Sequence, residues 1–370
     1  MRCYWLALLG LMISLPGWGQ SDSSAQAVDT TRLQRTSLFG LPVVYFTPET
    51  RWGFGVAGLA AFRLPHEPRD SRSSQLQFGA VYTQEKQLLL YLPYVVFARN
   101  ERYWAYGEIG YYRYTYYFYG LGNEDPLPEG ELYDVNFPRF RLHALRRVAP
   151  HWYLGLHYWL DVFDIQNVVP GGLLASEQRD ITGREGGIIS GPGLISIYDR
   201  RNDFNAPTRG YYAEALFQVN APWTGSTFSY TRTSLDLRGF LPVWPRQEHV
   251  LAAQVYADLT TGDPPFNALG LLGGPRRMRG YYEGRYRARN LVGGQVEYRA
   301  HLFWRLGATA FVAGGAVFDQ WRAVQPDLLR WTWGGGLRVR ISQEDRINVR
   351  VDVGVAEGTP AYYLTVGEAF

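Results

Sequence analysis

Apolar and polar residues alternate along most of this chain. From Ile347 to Val355 the alternation is unbroken. Ile347, Val349, Val351, Val353 and Val355 fall on one face, and Asn348, Arg350 and Asp352 on the other. A period of two marks a strand with two unlike faces. Trp331, Trp333, Gly335, Leu337, Val339 and Ile341 make a second apolar face, opposed by Thr332, Gly334, Gly336, Arg338 and Arg340. Within 226–240, Arg232, Ser234, Asp236 and Arg238 oppose Thr233, Leu235 and Leu237. Within 134–148, Arg139, Arg141, His143 and Arg147 share one face. Read this way from Leu38 onward, the chain predicts strands over 40–47, 52–63, 73–83, 87–98, 102–118, 134–148, 151–164, 187–198, 210–220, 226–240, 248–259, 289–303, 306–318, 330–342, 346–356 and 361–370. That is sixteen strands, an even number, as a closed antiparallel membrane barrel of the bacterial kind requires.

Connection lengths support the same architecture. Brief turns such as 148–151 and 303–306 are interspersed with longer stretches at 64–72, 119–133, 165–186, 260–288 and 319–329. Short turns at one end and long loops at the other are the pattern of a transmembrane barrel. The tract Trp104, Tyr106, Tyr111, Tyr112, Tyr114, Tyr116, Tyr117, Phe118 and Tyr119 reads as an interfacial aromatic girdle. A large soluble β-sandwich would also alternate, but it needs an apolar second face to bury, and that face is missing here. The fold expected is therefore all-β, a single transmembrane antiparallel barrel over residues 38–370.

Composition narrows the function classes. Charged residues are 19% and aromatics 16% of the chain, a mixture that suits a lipid-facing barrel better than a soluble domain. The net charge of +3 gives no reason to expect a nucleic-acid partner. Nearly all the positive charge is arginine, since Lys86 is the only lysine; arginine is the better residue for bidentate pairs in a crowded lumen. The one cysteine, Cys3, lies before the apolar run Tyr4–Leu15. That run has the length of a signal-peptide core and is too short to span a bilayer. Cleavage is expected after Gly19, giving a signal peptide at 1–19 and a polar, flexible periplasmic segment at 20–37. No later stretch reaches the length of a membrane helix, and a barrel is the remaining way for such a chain to span a membrane.

Catalytic chemistry is not expected. The six histidines, at positions 66, 143, 151, 157, 249 and 301, show no metal-ligand spacing with a carboxylate. The chain has no Gly-x-Ser-x-Gly elbow, Walker loop or Cys-x-x-Cys. The reading is a non-enzyme with no metal and no cofactor.

One segment needs a partner to fold against. Thr261 to Arg289 is long, rich in Gly and Arg, and centred on Gly273-Gly274-Pro275-Arg276-Arg277-Met278-Arg279-Gly280-Tyr281. It cannot form a core of its own. Arg279, Gly280 and Tyr281 read as the tip of a plug: a guanidinium for wall carboxylates, a glycine for a tight bend, an aromatic to pack. Alternation points Glu297 inward beside Gln295 and Arg299. At the C-terminus, Tyr362, Leu364, Val366 and Phe370 share one face, interrupted by Glu368. They are expected to form an outward-facing terminal signal for barrel assembly.

Four stretches carry a resemblance to a known family. They are Ile197-Tyr198-Asp199-Arg200-Arg201-Asn202-Asp203 with Pro207-Thr208-Arg209-Gly210-Tyr211; Gly273 to Tyr281; Gly294-Gln295-Val296-Glu297-Tyr298-Arg299; and Phe311 to Asp319. In this order the chain resembles the BamA/TamA family, also called the bacterial surface antigen family. The resemblance implies a barrel in which the loop between strands eleven and twelve folds into the lumen, with Arg279 paired to acids on the inner wall. Glu297 matches one of those acids. The second belongs near Ala313, where this chain has no acid; Asp319 is displaced from that position, and Asp352 is another acid within the barrel. The periplasmic POTRA domains of BamA and TamA have no counterpart in the roughly eighteen residues expected before the first strand, so a bare barrel is expected.

The resemblance implies an outer-membrane protein of envelope biogenesis, inserting or translocating protein or lipid through a seam between the first and last strands. The partners it implies are outer-membrane lipids, nascent outer-membrane proteins, periplasmic accessory proteins, and the barrel assembly machinery for the chain's own insertion. The alternative is a structural or pore-forming outer-membrane barrel without assembly activity.

Overall fold

The computed structural model describes residues 36–47, 51–68, 71–123, 126–176, 180–244, 248–323 and 325–370. The expected leader and nearly all of the 20–37 segment lie outside these residues. Sixteen strands form one antiparallel sheet. They are β1 (37–47), β2 (51–62), β3 (74–83), β4 (88–98), β5 (103–118), β6 (131–149), β7 (152–166), β8 (186–199), β9 (210–220), β10 (230–244), β11 (249–262), β14 (290–303), β15 (306–318), β16 (330–342), β17 (347–356) and β18 (359–366). Between β11 and β14 the long connection carries its own two-stranded ribbon, β12 (270–272) with β13 (286–288). The sheet strands follow one another in chain order, each paired to the next.

The two faces of each strand have different surroundings. Outward positions such as Leu156, Leu194, Leu235, Leu237, Val255 and Trp333 are exposed, the apolar band a lipid-facing surface requires. Inward positions carry charge held in pairs. Register places Arg139 directly opposite Asp161, and the two form a bidentate bond with N–O distances of 2.9–3.2 Å. Arg232 reaches Asp258 at 2.9 Å and Arg238 reaches Asp236 at 2.7 Å. Such pairs satisfy polar groups removed from bulk water.

Contacts across the sheet show that it curls. Tyr106 on β5 donates to Glu214 on β9 at 3.0 Å. Leu59 and Ala61 on β2 pack with Ile347 on β17, although these strands stand near opposite ends of the strand order. The barrel is nevertheless not closed by a ladder. Among the described residues, the pairing runs from β1 to β18 and does not return to β1. This departs from the closed barrel expected. Each edge strand carries a proline, Pro42 or Pro360, which removes a ladder donor. In addition, β18 is only 8 residues long.

The end of the chain departs from expectation too. Tyr362, Leu364 and Val366 are exposed on the outer face, but Phe370 is buried and does not join them. The strand stops before Gly367, whose φ of +87° turns the backbone. Glu368 then binds Arg338 and Asn348 on the inner face. Phe370 stacks on Phe240, with the Arg299 guanidinium 5.0 Å from its ring centre. The aromatic tract also divides. Trp104 and Phe118 are buried, and Tyr112 and Tyr116 pack against a cluster containing Tyr133, Phe163 and Phe266. Tyr111 stays exposed. Trp104, Tyr106, Tyr112, Tyr116 and Phe118 of the expected girdle are therefore inner-wall residues.

The three longest connections, 263–289, 167–185 and 119–130, fall at one end of the barrel, together with 319–329. The segregation is incomplete: the short turns 84–87 and 357–358 share that end, and the 63–73 connection lies at the other.

Candidate functional site

The 263–289 connection packs against buried side chains of β11, β14, β15 and β17. Apolar contacts seat it first. Leu272, Met278, Tyr281 and Tyr286 form a buried cluster with Tyr256 of β11, Leu291 of β14, Ala313 and Val317 of β15, and Ala356 of β17. Ala313 stands where the family resemblance placed a second acid, and the small residue there packs in this cluster instead.

Arg279 is completely buried. Its Nη2 donates to Glu297 Oε2 of β14 at 2.5 Å and its Nη1 to Asp352 Oδ2 of β17 at 2.8 Å. Nη2 also lies 3.3 Å from Gln295 Oε1. One planar guanidinium thus spans two strands that are three apart in the sheet, a geometry a lysine ammonium cannot reproduce. The guanidinium carbon sits 3.5 Å from the ring centre of Phe311, a desolvated cation–π contact. Asp352 is the second carboxylate. Asp319 accepts from the backbone N–H of Arg289 instead.

The two carboxylates belong to a larger network. Glu297 also accepts from Arg299 Nε at 2.7 Å. Asp352 also accepts from Arg338 and from Arg350. Arg350 in turn donates to the carbonyl of Pro275 at 2.8 Å, and Gln295 donates to the carbonyl of Arg276 at 2.8 Å. The wall therefore grips the loop backbone as well as the Arg279 side chain. Thr332 of β16 donates to the Arg279 carbonyl.

Gly280 and Tyr281 complete the tip. Gly280 has φ +123°, a conformation that costs glycine little. Its N–H donates to the hydroxyl of Tyr363 on β18 at 3.0 Å. Tyr281 donates to Glu357, in the turn between β17 and β18, at 3.2 Å. Burial first, and the Glu357 carboxylate after it, raise the Tyr281 pKa. Opposite the tip, Gly354 of β17 leaves the space the loop occupies. A Cβ there would lie 2.4 Å from the carbonyl carbon and oxygen of Arg279.

The structure thus gathers Arg279, Gly280, Tyr281 and Glu297 in one place. It sets Tyr362, Leu364 and Val366 on the outside and Phe370 beside Arg299. Residues that sequence reading missed here are Thr332, Gly354, Phe311 and Tyr363. Alternation puts Thr332 and Gly354 on the polar face, but nothing in it says that a loop backbone arrives there. The Ile197–Asp203 stretch builds a separate ion-pair cluster. There Asp199 accepts from the Arg201 backbone and side chain and from Arg72 at 2.7 Å.

Comparison with known proteins agrees with this architecture. Residues 193–354 match the Omp85 superfamily domain. The structure is similar to that of BamA from Haemophilus ducreyi lacking POTRA domains 1–3, at 16% identity and TM-score 0.54, covering 90% of this chain and 69% of that one. It is similar to CdiB from Acinetobacter baumannii (12% identity, TM-score 0.55, 91% of this chain and 60% of that one). It is also similar to CdiB from Escherichia coli (13%, 0.54, 90% and 61%). The chain thus spans about three fifths of each CdiB chain. No curated protein sequence matches it. Residues 193–354 thus carry the likeness to the Omp85 superfamily domain, and the chain as a whole shares the sixteen-stranded antiparallel fold of these barrels.

Proposed function

We propose that this chain is an outer-membrane barrel that inserts or translocates protein or lipid through a lateral seam between β1 and β18, with the Arg279 loop as a plug that braces the seam. The observation that carries this reading is the grip of the loop tip on the last hairpin. Gly280 is bonded to Tyr363 and Tyr281 to Glu357, while among the described residues the edge of β18 has no ladder to β1. An unladdered edge is a template for an incoming strand. A loop that fixes the position of β18 sets how far that edge stands from β1.

The test is a reversible lock. Single cysteines are stepped along β1 and β18, and the oxidised pairs are assayed in liposomes for insertion of a urea-unfolded barrel protein and for lipid transfer between leaflets. Locking is expected to abolish whichever activity the protein has, and reduction to restore it. Full activity in the locked state would sink the seam.

A further inference from the structure

The turn between β8 and β9 reaches across the end of the barrel opposite the three longest connections. It is built as a stiff arm. Beyond the strand ends, backbone bonds continue from Arg200 N–H to Tyr211 at 2.9 Å and from Asn202 N–H to Arg209 at 3.1 Å. The Asn202 side chain accepts from the N–H groups of Thr208 and Arg209 at 3.0 and 2.9 Å. At the tip, Asp203 accepts from the N–H groups of Asn205 and Ala206 at 2.9 and 2.7 Å. Short polar side chains that bond nearby backbone in this way fix a turn. At the base, the buried carboxylate of Asp199 holds Arg201 at 2.9 Å and Arg72 at 2.7 Å.

The tip has partners on distant walls. Phe204 packs edge-on against Phe97 of β4 and Trp104 of β5, with ring centres 5.6 and 6.0 Å away. Asn205 accepts from Gln75 of β3 at 2.9 Å and donates to the carbonyl of Asp345, in the turn between β16 and β17, at 2.7 Å. Along the sheet, β3 stands five places from β8, and β16 five places from β9. With neighbouring strands about 4.8 Å apart, five places make roughly 24 Å of wall. One side chain therefore joins three separated parts of the rim, which it can do only by standing over the opening. The other flank is looser: Ala206, Pro207 and Thr208 border a recess walled by Val250, Arg299 and Arg338.

We infer that the 200–209 connection is a crossbar that keeps polypeptide out of the lumen while small ions pass beside it. The mouth of a sixteen-strand barrel is wide enough for an aqueous channel. A two-stranded arm with its side chains takes up about 10 Å of that width, so it divides the opening without filling it. The divided opening admits a hydrated ion and obstructs a chain that carries side chains. The inference concerns the lumen and stands whether or not the seam between β1 and β18 opens.

The experiment is thiol labelling of the lumen in lipid nanodiscs, which leave both ends of the barrel in water. Cys3 is the only cysteine of the chain; it is replaced, Cys3→Ser, and Ser234→Cys on the polar face of β10 serves as reporter. N-ethylmaleimide is compared with a polyethylene-glycol maleimide, which has the same reactive group on a flexible chain. Phe204→Ala and Asn205→Ala are made separately in this parent; both truncate partly buried residues, and folding is checked by heat-modifiable gel mobility. N-ethylmaleimide is expected to label parent and variants at similar rates. The polymer should label the parent slowly and both variants roughly tenfold faster or more, since Asn205→Ala removes two hydrogen bonds and Phe204→Ala the ring that packs on β4 and β5. Polymer labelling of the parent as fast as that of the variants overturns the crossbar, as does slow polymer labelling that neither folded variant speeds. A parent that resists N-ethylmaleimide as well would have a sealed lumen, which also overturns it.

Discussion

Arg279→Ala is expected to free the long loop from the barrel wall. The substitution removes a guanidinium that bridges two fully buried carboxylates. Breaking a buried pair by deleting one partner costs about 3–5 kcal/mol, because the remaining charge is stranded. Three other arginines still touch Glu297 or Asp352, so the effect should sit near the lower end, about 3 kcal/mol. The loop supplies its own reporter. Arg276, Arg277, Arg285, Arg287 and Arg289 are trypsin sites that survive the substitution. If cleavage follows loop opening, its rate should rise on the order of 100-fold, the factor that ~3 kcal/mol represents. Single-channel conductance in planar bilayers should rise with it, from low and flickering to steady. Arg279→Lys keeps the charge but not the two-strand span and should fall between. Equal protease resistance and equal conductance in wild type and Arg279→Ala would mean that this residue does not hold the loop.

The strands were legible because the two faces differ chemically in almost every one. Arg350 and Asp352 stand between Val349, Val351 and Val353, and no other structure gives that run two such unlike sides. Glu297 was placed inward by the same parity. The choice of the second acid was not legible. Parity turns Asp352 inward, but its distance from Arg279 depends on how tightly four strands curve, and curvature leaves no mark in a period of two. The aromatic tract misled for a related reason. Tyrosine suits both a membrane interface and a hydrogen-bonded lumen, so Tyr112 and Tyr116 read as girdle while packing on the inner wall. Phe370 was misread because its spacing from Val366 fits a continuing strand. Gly367 and Glu368 were the contrary signals: a residue that accepts φ +87° and a charge that belongs with Arg338.

Gly354→Ala is expected to displace the loop as strongly as loss of Arg279, although it adds one methyl group and removes no charge. The added Cβ would stand 2.4 Å from the Arg279 carbonyl carbon and oxygen and 2.7 Å from the Gly280 nitrogen. All three are backbone atoms, which cannot swing aside as a side chain can. Either β17 bows outward or the tip retreats by a substantial fraction of an ångström. The strand is held by ladders on both edges, through Gly334 of β16 and Ala361 of β18, so the tip is the part that yields. Its retreat stretches the 2.8 Å bond from Arg279 to Asp352 and the 3.0 Å bond from Gly280 to Tyr363 together. Small-to-large changes at a filled contact cost about 1–3 kcal/mol before such losses are added. Gly239→Ala is the matched control, since a Cβ at that strand position meets nothing within 4 Å. Trypsin should therefore cut the loop rapidly in Gly354→Ala and at the wild-type rate in Gly239→Ala. A Gly354→Ala protein whose loop stays protected would place the tip away from β17 and remove the brace on which the seam proposal depends.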